Sequence, residues 1–555
     1  MIAVTERPIV AAIVVHGPDG SVAASSHERR GVGPFFWYAE VAEAASGTHR
    51  AGLGNGPEVH ACDEFRVSDE RRRVRERTDD VVWPVEWSWE RDTEALYSAW
   101  VEKLFDDPLE AQPSWNGLSA VLGDPARNLL HDHLGLGEDS GRQRLVLEPD
   151  CADLPFFLRA YFAWKVGLPF GFSNCTRGGR FGAPRCSQWH TNLDPPREPG
   201  DDLELMRRFL KRDVGWAIHS GSARTPADDD RTDLYLTKVA PASIRPGAVY
   251  ADPYGHTLVV VRHVAQTSES AGVLLAVDAQ PDGTVARKRF WRGNFLFALD
   301  PALGGPGFKR FRPIVFERRA LRALGNREVE RSAEYGDFGL DQHAGGVEGF
   351  YDAMDDLQNP TPLDPARALR EVIQALDEQL RTRVRSVENG RVHVAENPAV
   401  IRMPDGAEIF ETTGAWEDFS TPARDLRILV AIDVVRAFPA RVERRRERFA
   451  MPAGKTPAQV RAELEALLVS ETAERRFSYT RTDGSDWTLS IADVFARAAQ
   501  LEIAYDPNDC VEVRWGAAQG SDEAATCTRR APAQQQARME EYRAWFRERR
   551  RPPRE

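Results

Sequence analysis

The stretch that decides the fold is Asp150-Cys151-Ala152-Asp153 with the run behind it, Leu154 to Trp164, which reads LPFFLRAYFAW with Arg159 as its one charge. Asp150 and Asp153 mark a helix start, because an Asp side chain accepts the free amides of a first turn. Pro155 fits only near a helix N-terminus, which keeps that start close to Cys151. Gly167 followed by Pro169 marks the stop, since Gly takes the left-handed cap and Pro cannot continue the ladder. A helix apolar nearly all round belongs inside a domain. One thiol, Cys151, therefore stands where a buried helix begins, near free amides and the positive dipole end. That environment favours thiolate over thiol.

Downstream, Ile244 to Val261 reads IRPGAVYADPYGHTLVVV. Pro246-Gly247 is a turn, Ala248 to Tyr250 a short strand, and Asp252 to Gly255 a second turn. Thr257 to Val261, β-branched and apolar, is a buried strand that His256 opens. Val273 to Val277 is the next strand and ends at Asp278; Gly283 turns the chain into a fourth strand, Ala286 to Phe290. A buried helix followed by antiparallel strands is an α+β arrangement. Upstream, LYSAWVEKLF and then Trp115 to Leu134 have helical spacing. Between the helix and the sheet lie a long segment, Gly171 to about Pro199, a short helix (Leu203 to Phe209) and a predicted strand (Trp216 to His219).

Cysteine hydrolysis needs a sulfur nucleophile, a base that exchanges its proton, and a group that holds the imidazole in one tautomer. Cys151 supplies the first and helix-start amides an oxyanion site. His256, first on its strand after a Gly turn, supplies the base. Asp278 ends the neighbouring strand and can orient the ring, with Asn294 as the alternative partner. Cys175 and Cys186 lack a helix behind them and suit a disulfide or a substrate loop. His190 and His219 read as loop structure. His131-Asp132-His133 does not form a metal site, since residues two apart on a helix do not share a face.

The pattern Asp150-Cys151, buried helix, Arg245-Pro246-Gly247-Ala248-Val249-Tyr250, then Gly255-His256 before an apolar strand resembles the NlpC/P60 and related papain-like cysteine hydrolases. The resemblance covers about residues 145 to 300 and implies Cys151 as nucleophile, His256 as base and Asp278 in the ring-orienting position. It implies a papain-like core, a central helix packed on an antiparallel sheet, with Leu168 to Thr232 inserted. Ala276-Val277-Asp278-Ala279 is also similar to the strand end of transglutaminase-like proteases, so that branch stays open. A non-catalytic binding or assembly protein on the same fold is the other reading.

At 555 residues the chain has room for two or three domains. The reading divides it into a β-rich region (1–89), the hydrolase core (90–312) and a mixed α/β accessory domain (313–555). In the last, helices are expected from Ala366 to Val384 with a stop at Asn389-Gly390, from Thr421 through Val435 and from Thr456 through Glu474. Short strands are expected around Val392 and Ile409. Trp416 to Asp425 reads as a helix entry with Thr421 as N-cap. The formal net charge of −12 gives no reason to expect nucleic acid or an anionic membrane as partner. The basic runs Arg71-Arg72-Arg73 and Arg444-Arg445-Arg446 are flanked by Glu and read as solvated surface. No apolar run reaches the roughly 18 residues of a membrane span. Ile9 to Val15, followed by Gly17-Pro18-Asp19-Gly20, is a hairpin pattern rather than a signal peptide, which places the chain in the cytoplasm by default. Disulfides at Cys175–Cys186 and Cys510–Cys527 would instead place it in an oxidising compartment. The expected partner is a peptide or amide-containing substrate, with no cofactor and no metal.

Overall fold

The computed structural model describes residues 1–56, 58–68, 80–180, 182–280, 283–317, 320–411 and 414–552, so Arg71-Arg72-Arg73 lies outside the described residues. The chain is α+β and divides into two compact units, Met1–Phe290 with Phe297–Gln358, and Trp291–Leu296 with Asn359–Glu555.

The first unit opens on six strands: Ile2–Thr5 (β1), Ala12–His16 (β2), Val22–Ser26 (β3), Phe35–Tyr38 (β4), Gly47–Asn55 (β5) and Glu58–Val67 (β6). β1 pairs with β4, and the others form an antiparallel sheet in the order β3-β2-β5-β6. The hairpin expected near the N-terminus is β2 and β3. Helix α1 (Arg91–Leu104) follows, then β7 (Ser114–Trp115) and a short helix α2 (Leu118–Leu122). The long helix expected over Trp115 to Leu134 is thus only five residues. Asn128 explains why the chain turns away: its buried carboxamide binds the Leu122 carbonyl, the Tyr161 hydroxyl and the Trp100 indole, which ties down a turn rather than a helix.

Helix α3 runs Asp153–Val166 and ends on Gly167 at φ 79°, the left-handed cap that its sequence asks for. Leu154, Phe156, Leu158, Ala160, Tyr161, Phe162 and Ala163 are buried completely. Each such large side chain contributes about 1.5–3 kcal/mol of burial. The two buried cations of α3 are paired: Arg159 meets Glu94 of α1 at 2.5 Å, and Lys165 meets Glu138 and Asp139. Although burial raises it, Arg159 and Arg310 bring the Glu94 carboxyl down to about 2.

Beyond α3 come the hairpin β8 (Gly171–Cys175) and β9 (Cys186–Thr191), then helix α4 (Asp202–Arg208). The main sheet is completed by β10 (Leu234–Leu236), β11 (Val249–Ala251), β12 (Thr257–Val264), β13 (Val273–Ala279), β14 (Val285–Arg289) and β15 (Gly307–Phe311). Seven strands pair antiparallel in the order β10-β15-β11-β12-β13-β14-β7, and α3 packs against β12. The strand expected at Trp216 to His219 is instead a helical turn, Gly215–Ala217, continuing the π-helical segment Phe209–Val214. Val214, Ala217 and Ile218 are its buried face, and that i, i+3, i+4 spacing requires a helix rather than a strand.

In the second unit, the helix Pro365–Glu396 runs through Asn389-Gly390 instead of stopping there, so Val392 is helical. Gly390 is buried because the Phe419 carbonyl and the Arg514 guanidinium come so close that a Cβ would meet them at 3.2 and 2.8 Å. A small residue that admits neighbours reads as a stop in sequence alone. Ile409 lies in a 3-10 turn rather than a strand, and the helix from Pro422 continues to Arg444 through Pro439. Trp416 is packed in the core as expected, but the Thr421 hydroxyl bonds Asp425 instead of capping the helix amides.

Candidate active site

Asp150 builds the start of α3. Its Oδ1 accepts the amides of Ala152 at 2.8 Å and Asp153 at 3.0 Å, and its carbonyl accepts that of Leu154. Cys151, a half-buried residue with a free thiol, lies inside this turn. The amides of Ala152 and Asp153 are therefore already taken, and they cannot serve an oxyanion as the sequence suggested. The Cys151 amide has no partner among the described residues and remains available.

The sheet brings the imidazole to this turn. Thr257, the first residue of β12, donates its hydroxyl to the Cys151 carbonyl, and its amide bonds the Cys151 sulfur. His256 is the adjoining residue. On the next strand, Val259 stands opposite Val277, which continues to Leu258 opposite Asp278. Alternation then puts His256 on the same face as Asp278, diagonal to it. His256 Nε2 is 3.0 Å from Asp278 Oδ2, and Asp278 is buried. Gln280 donates to the same oxygen at 2.8 Å, and Lys288 Nζ lies 4.0 Å from Oδ1. With Nε2 engaged by a carboxylate, His256 keeps Nδ1 as the acceptor, and Nδ1 has no partner among the described residues. The sulfur and this ring share the Thr257 latch but are not hydrogen-bonded to each other.

The electrostatics differ from the sequence expectation. Burial, then the Asp150 charge, push the Cys151 thiol up to about 12, and Asp278 and Asp153 add to this while the Thr257 amide opposes it. Burial, with the charges of Asp150 and Asp278, thus outweighs the helix start, and the sulfur rests as a neutral thiol. Burial and Asp150 also push the Asp153 carboxyl up to about 8, so it is largely neutral at pH 7.

The alternatives resolve geometrically. Cys175 and Cys186 are opposite residues of the β8–β9 hairpin and form a disulfide, as do Cys510 and Cys527. Asn294 accepts from Gln379 at 2.8 Å within the second unit. His190 faces Asp194, and His219 Nε2 is 2.5 Å from the Cys175 carbonyl. Asp132, Glu138 and Asp139 do gather, but the Lys165 ammonium pairs with two of them and supplies an internal cation. Sequence reasoning missed Thr257 and Gln280. The first was hidden as a β-branched strand residue; the second could have been found, since it lies two residues after Asp278 and so shares its face.

No protein family, curated protein or solved structure matches this chain.

Proposed function

We propose that the first unit is a cysteine-dependent amide hydrolase with a papain-like core of the NlpC/P60 kind, acting through Cys151, His256 and Asp278. The observation that supports this reading is the Thr257 latch: Thr257, the residue after His256, bonds the carbonyl of Cys151, a free thiol, while His256 pairs with Asp278 through Nε2 and its Nδ1 has no partner among the described residues. Because the thiol rests protonated, its proton passes to His256 Nδ1 as the sulfur attacks the amide carbonyl. Asp278 stabilises the imidazolium formed, and the Cys151 amide stabilises the oxyanion. The tetrahedral intermediate collapses as His256 gives that proton to the leaving amine, leaving a thioester. Water, losing a proton to His256, then attacks the thioester, and the acid and the thiol are released. Catalytic hydrogen bonds are often longer in a free enzyme than in its substrate complex, so closure of the Cys151 to His256 gap belongs to substrate binding. An amine in place of water would make the same site a transglutaminase-like acyltransferase. The two disulfides favour an oxidising compartment for this chemistry.

The test is hydrolysis of a blocked-peptide library by the full chain. Cys151→Ala and His256→Ala should each lose at least about 100-fold in rate. Retained cleavage in Cys151→Ala would remove the proposal. The high resting pKa of the thiol favours the competing reading, a non-catalytic binding protein, which predicts no cleavage by any form.

A further inference from the structure

The turn from His219 to Arg224 is wedged between the β8–β9 hairpin and the residues that lead into His256. On the hairpin side, His219 Nε2 is 2.5 Å from the Cys175 carbonyl, and the Gly221 amide donates to His219 Nδ1 at 3.0 Å. An amide only donates and a carbonyl only accepts, so these partners select the tautomer with its proton on Nε2. Both ring nitrogens thus bind backbone groups, and His219 is not a second base. Gly221 brings the turn closer still to the hairpin: a Cβ there would lie 2.9 Å from the Arg177 Cα. The carbonyl that His219 binds belongs to a tied strand end, since Cys175 stands opposite Cys186 and is joined to it by a disulfide.

On its other side the turn presents Ser220. A Cβ on Gly255 would lie 2.5 Å from the Ser220 Cβ, and the Gly255 φ of 100° itself favours glycine. Gly255 closes the turn before His256. Its amide donates to the Asp252 carbonyl at 3.1 Å, and the Asp252 amide donates to the His256 carbonyl at 2.8 Å. Buried Arg224 fixes Ser220 in this place. Its Nε donates to the Ser220 carbonyl at 2.9 Å and its Nη2 to the Arg177 carbonyl at 2.8 Å, a second tie between turn and hairpin. Asp278 and the Thr257 latch hold His256 at its ring and at the residue after it; Ser220 bears on the residue before it.

We propose that His219 is a positioning residue for His256: by tying the disulfide-bonded hairpin to the Ser220 turn, it sets the backbone from which the imidazole acts. The inference rests on the hydrolase reading above. Misplacing a catalytic group by about 1 Å costs on the order of 100-fold in rate, so a support that acts through Ser220 and Gly255 shows in kcat.

The experiment compares full-length His219→Ala, His219→Gln and His219→Asn with the unmutated chain by hydrogen exchange and by cleavage of a blocked peptide. His219→Ala should speed exchange of the Asp252 and Gly255 amides by at least about tenfold while α3 exchanges as before. It should lower kcat by at least about tenfold and leave KM within about twofold. Gln places an amide donor at the reach of Nε2 and should restore most of the protection and the rate. The shorter Asn caps Gly221, as in an Asx turn, falls short of Cys175 and should restore neither. Unchanged exchange at Asp252 and Gly255 in His219→Ala, exchange that rises equally through α3, or equal behaviour of the Gln and Asn forms overturns the positioning role. If His219→Ala does not fold, the Gln and Asn pair decides. The hydrolase is judged separately. If cleavage needs Cys151 but ignores His219→Ala, the hydrolase stands and the positioning role falls. If exchange follows the predicted order and no form cleaves a peptide, the coupling to His256 stands and the hydrolase falls.

Discussion

His256 Nε2 lies 3.0 Å from Asp278 Oδ2, a contact made across adjacent strands 22 residues apart in sequence. It fixes which ring nitrogen is free. Asp278→Ala should therefore lower the rate of amide cleavage by about 100-fold, because the imidazole loses both its orientation and the partner for its charged form. Gln280→Ala, which removes only the support of Asp278, should cost less, roughly tenfold or under. Steady-state rates on one cleaved peptide measure both; an unchanged Asp278→Ala would detach this pair from the chemistry.

Glu102 offers a prediction on pH. It is buried in α1 with neither carboxylate oxygen hydrogen-bonded among the described residues, and burial pushes it up to about 8. Arg262 and Arg30 oppose that rise, while Asp106 and Glu28 add to it. Between its ordinary value near 4.3 and about 8, the folded chain keeps this proton and the unfolded chain releases it, so stability falls as pH rises through that window. Glu102→Gln removes the dependence. Relative to the unmutated chain it should gain on the order of 3 kcal/mol between pH 5 and pH 8 in denaturant titrations. A constant difference across the window would contradict the assignment.

The core of α3 makes a simpler prediction. Phe156 is fully buried and stacks edge-on against Phe311 at 5.1 Å between ring centroids. Phe156→Ala should cost about 3–5 kcal/mol by urea unfolding. A loss below about 1 kcal/mol would mean that this helix is not the centre of the unit.

Thiol counting tests the cysteine assignment. The denatured, unreduced chain should alkylate at Cys62 and Cys151 alone, and Cys175, Cys186, Cys510 and Cys527 should label only after reduction. Labelling of all six without reductant would remove both disulfides.

Much of this site was legible before any coordinates. Asp150, Pro155 and Gly167 bound α3 within two residues, since capping and proline geometry are local. Strand alternation after Gly255 likewise placed His256 and Asp278 on neighbouring strands. The protonation of Cys151 was not legible. It depends on burial and on how Asp150, Asp153 and Asp278 converge, and only the last of these comes from a distant strand. Trp216 was misread because Trp216 to His219 is too short to show a period, and the buried face of Val214, Ala217 and Ile218 emerges only when the preceding π-helical segment is included.

The central claim is that Cys151 is an acyl acceptor served by His256, and p-nitrophenyl acetate tests it most directly. Peptide mapping by mass spectrometry after a brief exposure should find one acetyl group on Cys151, formed with a burst of p-nitrophenolate and lost in His256→Ala. Cys62, the exposed free thiol, is the internal control and should react alike in both chains. Acetylation of Cys62 with Cys151 untouched, or of Cys151 equally with and without His256, would contradict the account.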